Sequence, residues 1–193
     1  MLRRIAITAV VGLTALTAQL VSGVAPAGAT AIPTFGVQFH ATWGDYTDAQ
    51  RIALLDKLAA ANIRWVRIDI GWRAWEENGR GVISQWQADM MDRIVAAAEA
   101  RGIRILGTLW HTPAWANGGK SATTPPDDPN EYARFAQYIS ARYRGRIAAW
   151  EVWNEPNQSG FFTGADPVKY AALVRAAYPA FKAGDPGALV VAG

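Results

Sequence analysis

Apolar and polar positions along this chain follow two alternating rhythms, one of period two and one of period 3.6. Phe35-Gly36-Val37-Gln38-Phe39 alternates between Pro33 and a loop-forming stretch, which predicts a first strand. Thr47-Asp48-Ala49-Gln50 then has the form of a capping box, and Ile52, Leu55, Leu58 and Ala59 follow at helical spacing. The same alternation recurs. Ile63-Arg64-Trp65-Val66-Arg67-Ile68-Asp69-Ile70 predicts a second strand. A helix is expected from a second box at Ser84-Gln85-Trp86-Gln87, through Met91, Ile94, Val95 and Ala98, to a stop at Arg101-Gly102. Ile103-Arg104-Ile105-Leu106-Gly107-Thr108-Leu109 predicts a third strand. A third helix starts at Asp128-Pro129, with proline at the first helical position, and carries Tyr132, Phe135, Ala136 and Ile139 on one side. Ala149-Trp150-Glu151-Val152-Trp153 reads as a fourth strand and breaks into Asn154-Glu155-Pro156-Asn157. Asp166-Pro167 opens a fourth helix with Tyr170, Leu173, Val174 and Ala177, and Ala188-Leu189-Val190-Val191 predicts a fifth strand.

Strands that alternate with helices require crossover connections, so the pattern predicts an α/β fold with an all-parallel sheet and helices outside it. An open doubly wound sheet would bring a glycine-rich phosphate turn after its first strand. Phe39-His40-Ala41-Thr42-Trp43-Gly44 has nothing of the form G-x-G-x-x-G, which favours a (β/α)8 TIM barrel. Such a barrel takes about 250 residues. Residues 31–193 are therefore expected to be the N-terminal part of a barrel, truncated to about the first four βα units plus a fifth strand. The alternative is a half-barrel that pairs with a copy of itself.

The first residues change the picture of the compartment. Met1-Leu2-Arg3-Arg4 is basic, residues 5–21 are apolar but broken by Thr and Gly, and Ala25-Pro26-Ala27-Gly28-Ala29-Thr30-Ala31 offers small-residue cleavage sites. Residues 1–30 are read as a signal peptide, which makes the protein secreted and free of the membrane after cleavage. A retained N-terminal anchor is the alternative. Cleavage removes Arg3 and Arg4, so the formal charge of +3 falls by two, to +1. A nearly neutral chain gives no electrostatic case for nucleic acid or a membrane surface. With no cysteine, disulfides and thiolate metal sites are excluded, and His40 and His111 are too few and too isolated for an imidazole metal site. No cofactor is expected.

Tryptophan is the compositional exception, with nine in the chain, all between Trp43 and Trp153. Trp43, Trp72, Trp75, Trp110, Trp115, Trp150 and Trp153 fall on or just beyond the C-terminal ends of predicted strands, where a barrel carries its site. Indole faces stack on the C–H faces of sugar rings, so the clustering points to a carbohydrate cleft, with core packing the other use for any single ring. Trp65 and Trp86 are assigned to packing.

The break after the fourth strand carries the chemistry. Pro156 fixes its own φ and restricts Glu155, so this carboxyl group leaves the strand on a stiff backbone. Trp150-Glu151-Val152-Trp153-Asn154-Glu155-Pro156-Asn157 resembles the acid/base signature of retaining glycoside hydrolases on the (β/α)8 barrel, most closely families 39 and 5 (cellulase-type). The resemblance implies Glu155 as general acid/base and Asn154 as the amide that bonds the sugar's 2-hydroxyl. Arg67 matches the strand-two arginine of these enzymes, which sits beside the nucleophile. Its alternative role is a structural ion pair with Asp69 or Glu151. His111 stands in Trp110-His111-Thr112-Pro113-Ala114-Trp115-Ala116, similar to a Thr-Pro-Ala-Trp-Ala segment of the family 39 enzymes. It is expected either to face sugar hydroxyls or to brace its loop, and His40 at the end of the first strand is a comparable candidate. Trp110 and Trp153 complete the predicted substrate contacts. Glu76 and Glu77 are read as loop charges and Glu151 as structural.

In the enzymes resembled, the nucleophile is a Glu at the end of the seventh strand, which this sequence does not reach. Within this sequence Asp69 is the one other candidate carboxylate. The expected function is that of a secreted retaining glycosidase, inactive as this segment alone. A non-catalytic carbohydrate-binding barrel is the alternative, and an open-sheet hydrolase is disfavoured because no G-x-S-x-G elbow is present.

Overall fold

The period-two stretches become parallel strands in the computed structural model, which describes residues 34–193. The signal peptide expected over residues 1–30 lies outside the described residues. Five strands, β1 (Gly36–Gln38), β2 (Trp65–Gly71), β3 (Arg104–Trp110), β4 (Ala149–Val152) and β5 (Leu189–Ala192), lie side by side in chain order, every pair parallel. A doubly wound sheet would reverse its strand order partway, whereas consecutive order throughout is the arrangement of a barrel wall. The connections carry α1 (Asp48–Ala60), α2 (Trp72–Trp75), α3 (Gln85–Glu99), α4 (Pro129–Arg142) and α5 (Pro167–Gly184).

Side-chain alternation divides the sheet into two faces. Val66, Ile68 and Ile70 of β2, Ile105 and Leu109 of β3, and Trp150 and Val152 of β4 are wholly buried on the face that meets the helices. Each strand position opposite them points the other way, toward the barrel interior, where Asp69, Thr108 and Glu151 share one register row across β2, β3 and β4 and Arg67 lies one pleat earlier, opposite Leu106. The sequence parity of β2 is thus realised.

Two glycines permit the close approaches in this packing. A Cβ on Gly107 would stand 2.9 Å from Ile70 Cδ1 and 3.0 Å from the Trp150 ring, so the bare backbone makes room for that indole, which stacks on Phe181 of α5 at 5.3 Å. A Cβ on Gly184 would stand 2.6 Å from the Gln137 carbonyl, which lets α5 lie directly against α4. An aromatic cluster of Trp72, Trp75, Phe135 and Tyr143 fills the space between α2 and α4.

Helix starts follow the local chemistry, with one departure. Thr47 and Gln50 form the reciprocal capping box predicted for α1. At α3 only half of the expected box forms: Ser84 Oγ accepts from the Gln87 N–H, but the Ser84 N–H already donates to the Trp75 carbonyl at 2.8 Å, leaving Gln87 nothing to reach back for. Asp128 and Asp166 cap α4 and α5, each followed by proline at the first helical position. The sequence pattern did not reveal α2 or the 3-10 turn at Ala114–Ala116, because each is shorter than the window over which helical periodicity can be recognised. The fourth strand also ends one residue before its predicted limit, since Trp153 adopts a left-handed backbone with φ of 70°.

Candidate active site

The C-terminal ends of β1 to β4 bring their exit residues to one rim. A cleft of about 220 Å3 opens there, floored by Gln38, Arg67 and Asp69 and flanked by Asn154. Its aromatic walls are Trp43, Trp110 and Phe161, with His40 between wall and floor. The cleft therefore combines apolar ring faces with polar groups that converge on one point, the general character of a small-ligand site.

Arg67 organises the floor. Its Nε donates to Glu151 Oε2 at 2.7 Å, its Nη1 to Gln38 Oε1 at 2.8 Å and its Nη2 to Asn154 Oδ1 at 2.8 Å. Glu151 Oε2 also lies 2.6 Å from Nη2 and accepts from the Thr108 hydroxyl at 2.5 Å. Glu151 is thus the partner of Arg67, and the ion pair holds a half-buried guanidinium in place.

The guanidinium also settles which way two amides face. Arginine can only donate, so an amide opposite it must present oxygen and turn its NH2 elsewhere. Gln38 turns its NH2 to Asp69 Oδ2, at 3.3 Å. Asn154 turns its NH2 away from Arg67, and that group has no hydrogen-bond partner among the described residues.

Asp69, 14% exposed at its side chain, accepts from Gln38, has His40 Nδ1 3.3 Å from its Oδ2, and lies 3.9 Å from Arg67 Nη1. The Thr42 hydroxyl donates to its backbone carbonyl at 2.9 Å, tying the loop after β1 to β2. The His40 ring stacks on Trp43 at 3.9 Å, so both are carried as a unit on that loop.

His111 stands at the end of β3 with φ of 63°, a strained value for a residue with a side chain. Its carbonyl accepts from the Arg73 N–H at 2.9 Å, and its ring lies on Trp110 at 3.5 Å. Burial pushes the imidazole pKa down; the Asp69 charge opposes this and the Arg73 charge adds to it. His111 backs Trp110 and does not line the cleft itself. Of its two expected roles, the bracing one has contacts to support it.

Glu155 follows Asn154 with φ of 44° and is exposed, hydrogen-bonded by Gln158 Nε2 at 3.2 Å. Pro156 behind it is buried. The carboxyl group thus stands on an open surface, carried by a left-handed backbone.

Three predictions need correction. Trp86, assigned to packing, is 65% exposed on α3. Trp153, expected to touch substrate, is a core residue: its left-handed backbone swings the ring under the β4 loop. There it is fully buried against Tyr132 and Phe162 and donates to the Phe161 carbonyl at 2.8 Å. Trp72, Trp75 and Trp150 are buried likewise, so of the seven clustered tryptophans only Trp43 and Trp110 line the cleft. Glu76, read as a loop charge, is wholly buried; it accepts from Trp72 Nε1 at 2.8 Å and the Gly81 N–H at 3.1 Å, and pairs with Arg134. Gln38 and Phe161 were missed. The parity of Gln38 with Arg67 was a usable signal, whereas Phe161 reaches the cleft through the Trp153 hydrogen bond, which no spacing reveals. Among the described residues no group of three or more His, Asp or Glu side chains could hold a metal ion, and no helix is long and apolar enough to cross a membrane.

Comparison with known proteins bears on the family and the fold. The chain is similar to a β-glucosidase of an Agrobacterium species, 27% identical over 106 residues, which make up 53% of this chain and 22% of that protein. A family 39 glycoside hydrolase from Bacteroides cellulosilyticus superposes with a TM-score of 0.65 at 26% identity, over 82% of this chain and 31% of that one. A family 5 enzyme of Streptomyces cattleya solved with GlcNAc gives a TM-score of 0.69 at 22% identity, over 83% of this chain and 44% of that one. The chain thus spans less than half the length of these relatives, corresponding to four βα units and a fifth strand of a (β/α)8 barrel. The family model described as cellulase, glycosyl hydrolase family 5, matches residues 25–193, and this chain belongs to that family.

Proposed function

We propose that the protein of which this chain forms the N-terminal barrel units is a secreted glycosidase that cleaves O-glycosidic bonds of an oligo- or polysaccharide with retention of configuration. Glu155 acts as general acid and then general base. It gives its proton to the departing glycosidic oxygen, and in the second step removes one from the water that attacks the glycosyl-enzyme. Retention needs a second carboxyl group roughly 5 to 5.5 Å from the first. In this reading that nucleophile comes from chain beyond Gly193; in support, this chain covers 31% and 44% of the two similar barrels.

The observation that carries the reading is the Asn154–Glu155 pair at the end of β4. Arg67 takes the Asn154 oxygen, so the amide NH2 is left to donate to a sugar hydroxyl, and the next residue is the carboxyl group. The exposure of Glu155 favours a second statement within the same reading: residues 31–193 alone bind sugar weakly and turn none over. Secretion rests on the basic start and apolar run of residues 1–30.

Turnover of aryl β-glycosides by the complete protein tests the role of Glu155. Glu155→Gln should lower it steeply; unchanged turnover would take Glu155 out of the mechanism, and sugar binding with no turnover in the unaltered protein would favour a carbohydrate-binding barrel. The mass of the protein recovered from culture medium tests the leader; an intact Met1 there would exclude cleavage.

A further inference from the structure

We infer that Gln158 is a positioning residue for the proton transfers of Glu155: its side-chain amide holds one carboxyl oxygen, Oε2, and leaves Oε1 as the oxygen that carries the proton. This role rests on the glycosidase reading and deepens it at the same site.

A carboxyl group on an open surface turns about its side-chain bonds, whereas proton transfer needs one geometry. The loop that carries Glu155 also supplies its holder. Glu155, Pro156, Asn157 and Gln158 form a four-residue turn in which the Gln158 N–H donates to the Glu155 carbonyl at 3.0 Å, with proline at the second position, where its fixed φ suits a turn. The Gln158 carbonyl accepts from the Phe161 N–H at 3.0 Å and from the Phe162 N–H at 2.8 Å. Phe162 is wholly buried, edge to face with the Trp153 ring at 5.4 Å, and Trp153 Nε1 donates to the Phe161 carbonyl at 2.8 Å. The backbone of Gln158 is thus pinned on both sides, to the carbonyl of Glu155 and to a core aromatic pair. Each of these contacts is made inside residues 153–162.

From that fixed backbone the side chain reaches back, and its Nε2 donates to Glu155 Oε2 at 3.2 Å. The polarity of this contact assigns the two oxygens. An ionised carboxylate only accepts hydrogen bonds, so the amide presents its NH2. In the protonated acid the same donor is best met by the carbonyl oxygen, which makes Oε2 that oxygen and puts the proton on Oε1. In the first step the Oε1 proton passes to the glycosidic oxygen as its bond to the anomeric carbon breaks; the electron pair of that bond leaves with the oxygen, the nucleophile's carboxylate bonds to the carbon, and Glu155 is left ionised. In the second step Oε1 takes a proton from the water whose oxygen bonds to the anomeric carbon, and the nucleophile departs as a carboxylate. Gln158 stays on Oε2 throughout, so neither step waits for the carboxyl group to turn.

Leaving-group dependence is the readout, because an aryl group that departs as a stable phenolate needs little help from an acid. In the complete protein, kcat/KM is measured for the phenyl and 2,4-dinitrophenyl β-glycosides of glucose, mannose or xylose, whichever is turned over fastest. The proteins compared are the unaltered one, Glu155→Gln and Gln158→Met, which keeps the length of the side chain and removes its NH2. Gln158→Met should lower kcat/KM about three- to tenfold on the phenyl glycoside and less than about twofold on the dinitrophenyl one, the same selective pattern that Glu155→Gln shows more steeply. Equal losses on both substrates, or none on either, would overturn the role of Gln158, while a selective loss in Glu155→Gln leaves the glycosidase reading standing. Absence of a selective loss in Glu155→Gln would overturn the reading and the role of Gln158 together. Should Gln158→Met fail to fold, Gln158→Ala replaces it, with the same expected pattern and the same overturning results.

Discussion

The two faces of the sheet obey different rules. On the face that meets the helices, Val66, Ile68, Ile70, Ile105, Leu109 and Val152 are interchangeable in kind, since each contributes apolar volume to a closed layer. On the interior face, Gln38, Arg67, Asp69, Thr108, Glu151 and Asn154 hold one another by directed hydrogen bonds in which every partner has one possible donor or acceptor sense. The first face makes the fold stable and the second makes it specific, so perturbing each should move a different observable.

The sharpest separation comes from Glu155→Gln in the complete protein. Turnover of aryl glycosides should fall about 10²- to 10⁴-fold, the usual contribution of a positioned proton donor, while the midpoint of thermal unfolding stays put because the side chain is exposed. A shifted midpoint would break the comparison. Trp150→Ala on the opposite face should do the reverse and destabilise by about 3–5 kcal/mol in denaturant titrations. Trp150→Phe should cost much less, since the indole Nε1 is buried without a partner and its loss orphans nothing. Glu151→Ala tests whether the interior network is also structural. Leaving Arg67 without its carboxylate should cost about 2 kcal/mol, discounted from the fully buried case because the pair is partly exposed. It should also weaken sugar binding as Asn154 loses its fixed orientation.

The smallest effect concerns His111, whose pKa burial lowers in the folded protein. The unfolded chain then holds the proton more readily. The stability this histidine contributes is therefore complete above the unfolded pKa near 6.5 and is lost as pH falls from there through the folded value. His111→Asn should flatten that part of the stability–pH curve, measured by denaturant unfolding at pH steps between about 5 and 7.5.

How much of this could be read from the chain divides along the same two faces. Period-two alternation in residues 63–70 located β2 and the inward parity of Arg67 and Asp69, because a buried helix-facing side leaves a regular apolar imprint. The Arg67–Glu151 pair was legible for a similar reason, as a charge of inward parity needs an opposite one. Side chains turned by single backbone angles were not legible. Trp153 sits in the same motif as Glu155, yet its φ of 70° sends it into the core. Tryptophan count alone could not distinguish an indole that fills the space between α2 and α4 from one that walls a cleft, since both uses place it near a strand end. Phe161 and Glu76 depend on contacts across tens of residues, to Trp110 and Arg134, for which local pattern carries no signal.

The buried Glu76 has a consequence for anyone recombining barrels of this kind. Its carboxylate holds Trp72 and Gly81 of its own unit and Arg134 of the next, and its carbonyl receives Trp115 Nε1 at 2.7 Å from that same next unit. The second and third modules are welded through one side chain. A chimera whose crossover point falls between them inherits a carboxylate without its guanidinium, or the converse, and must import both halves of the joint to keep the buried charge paired.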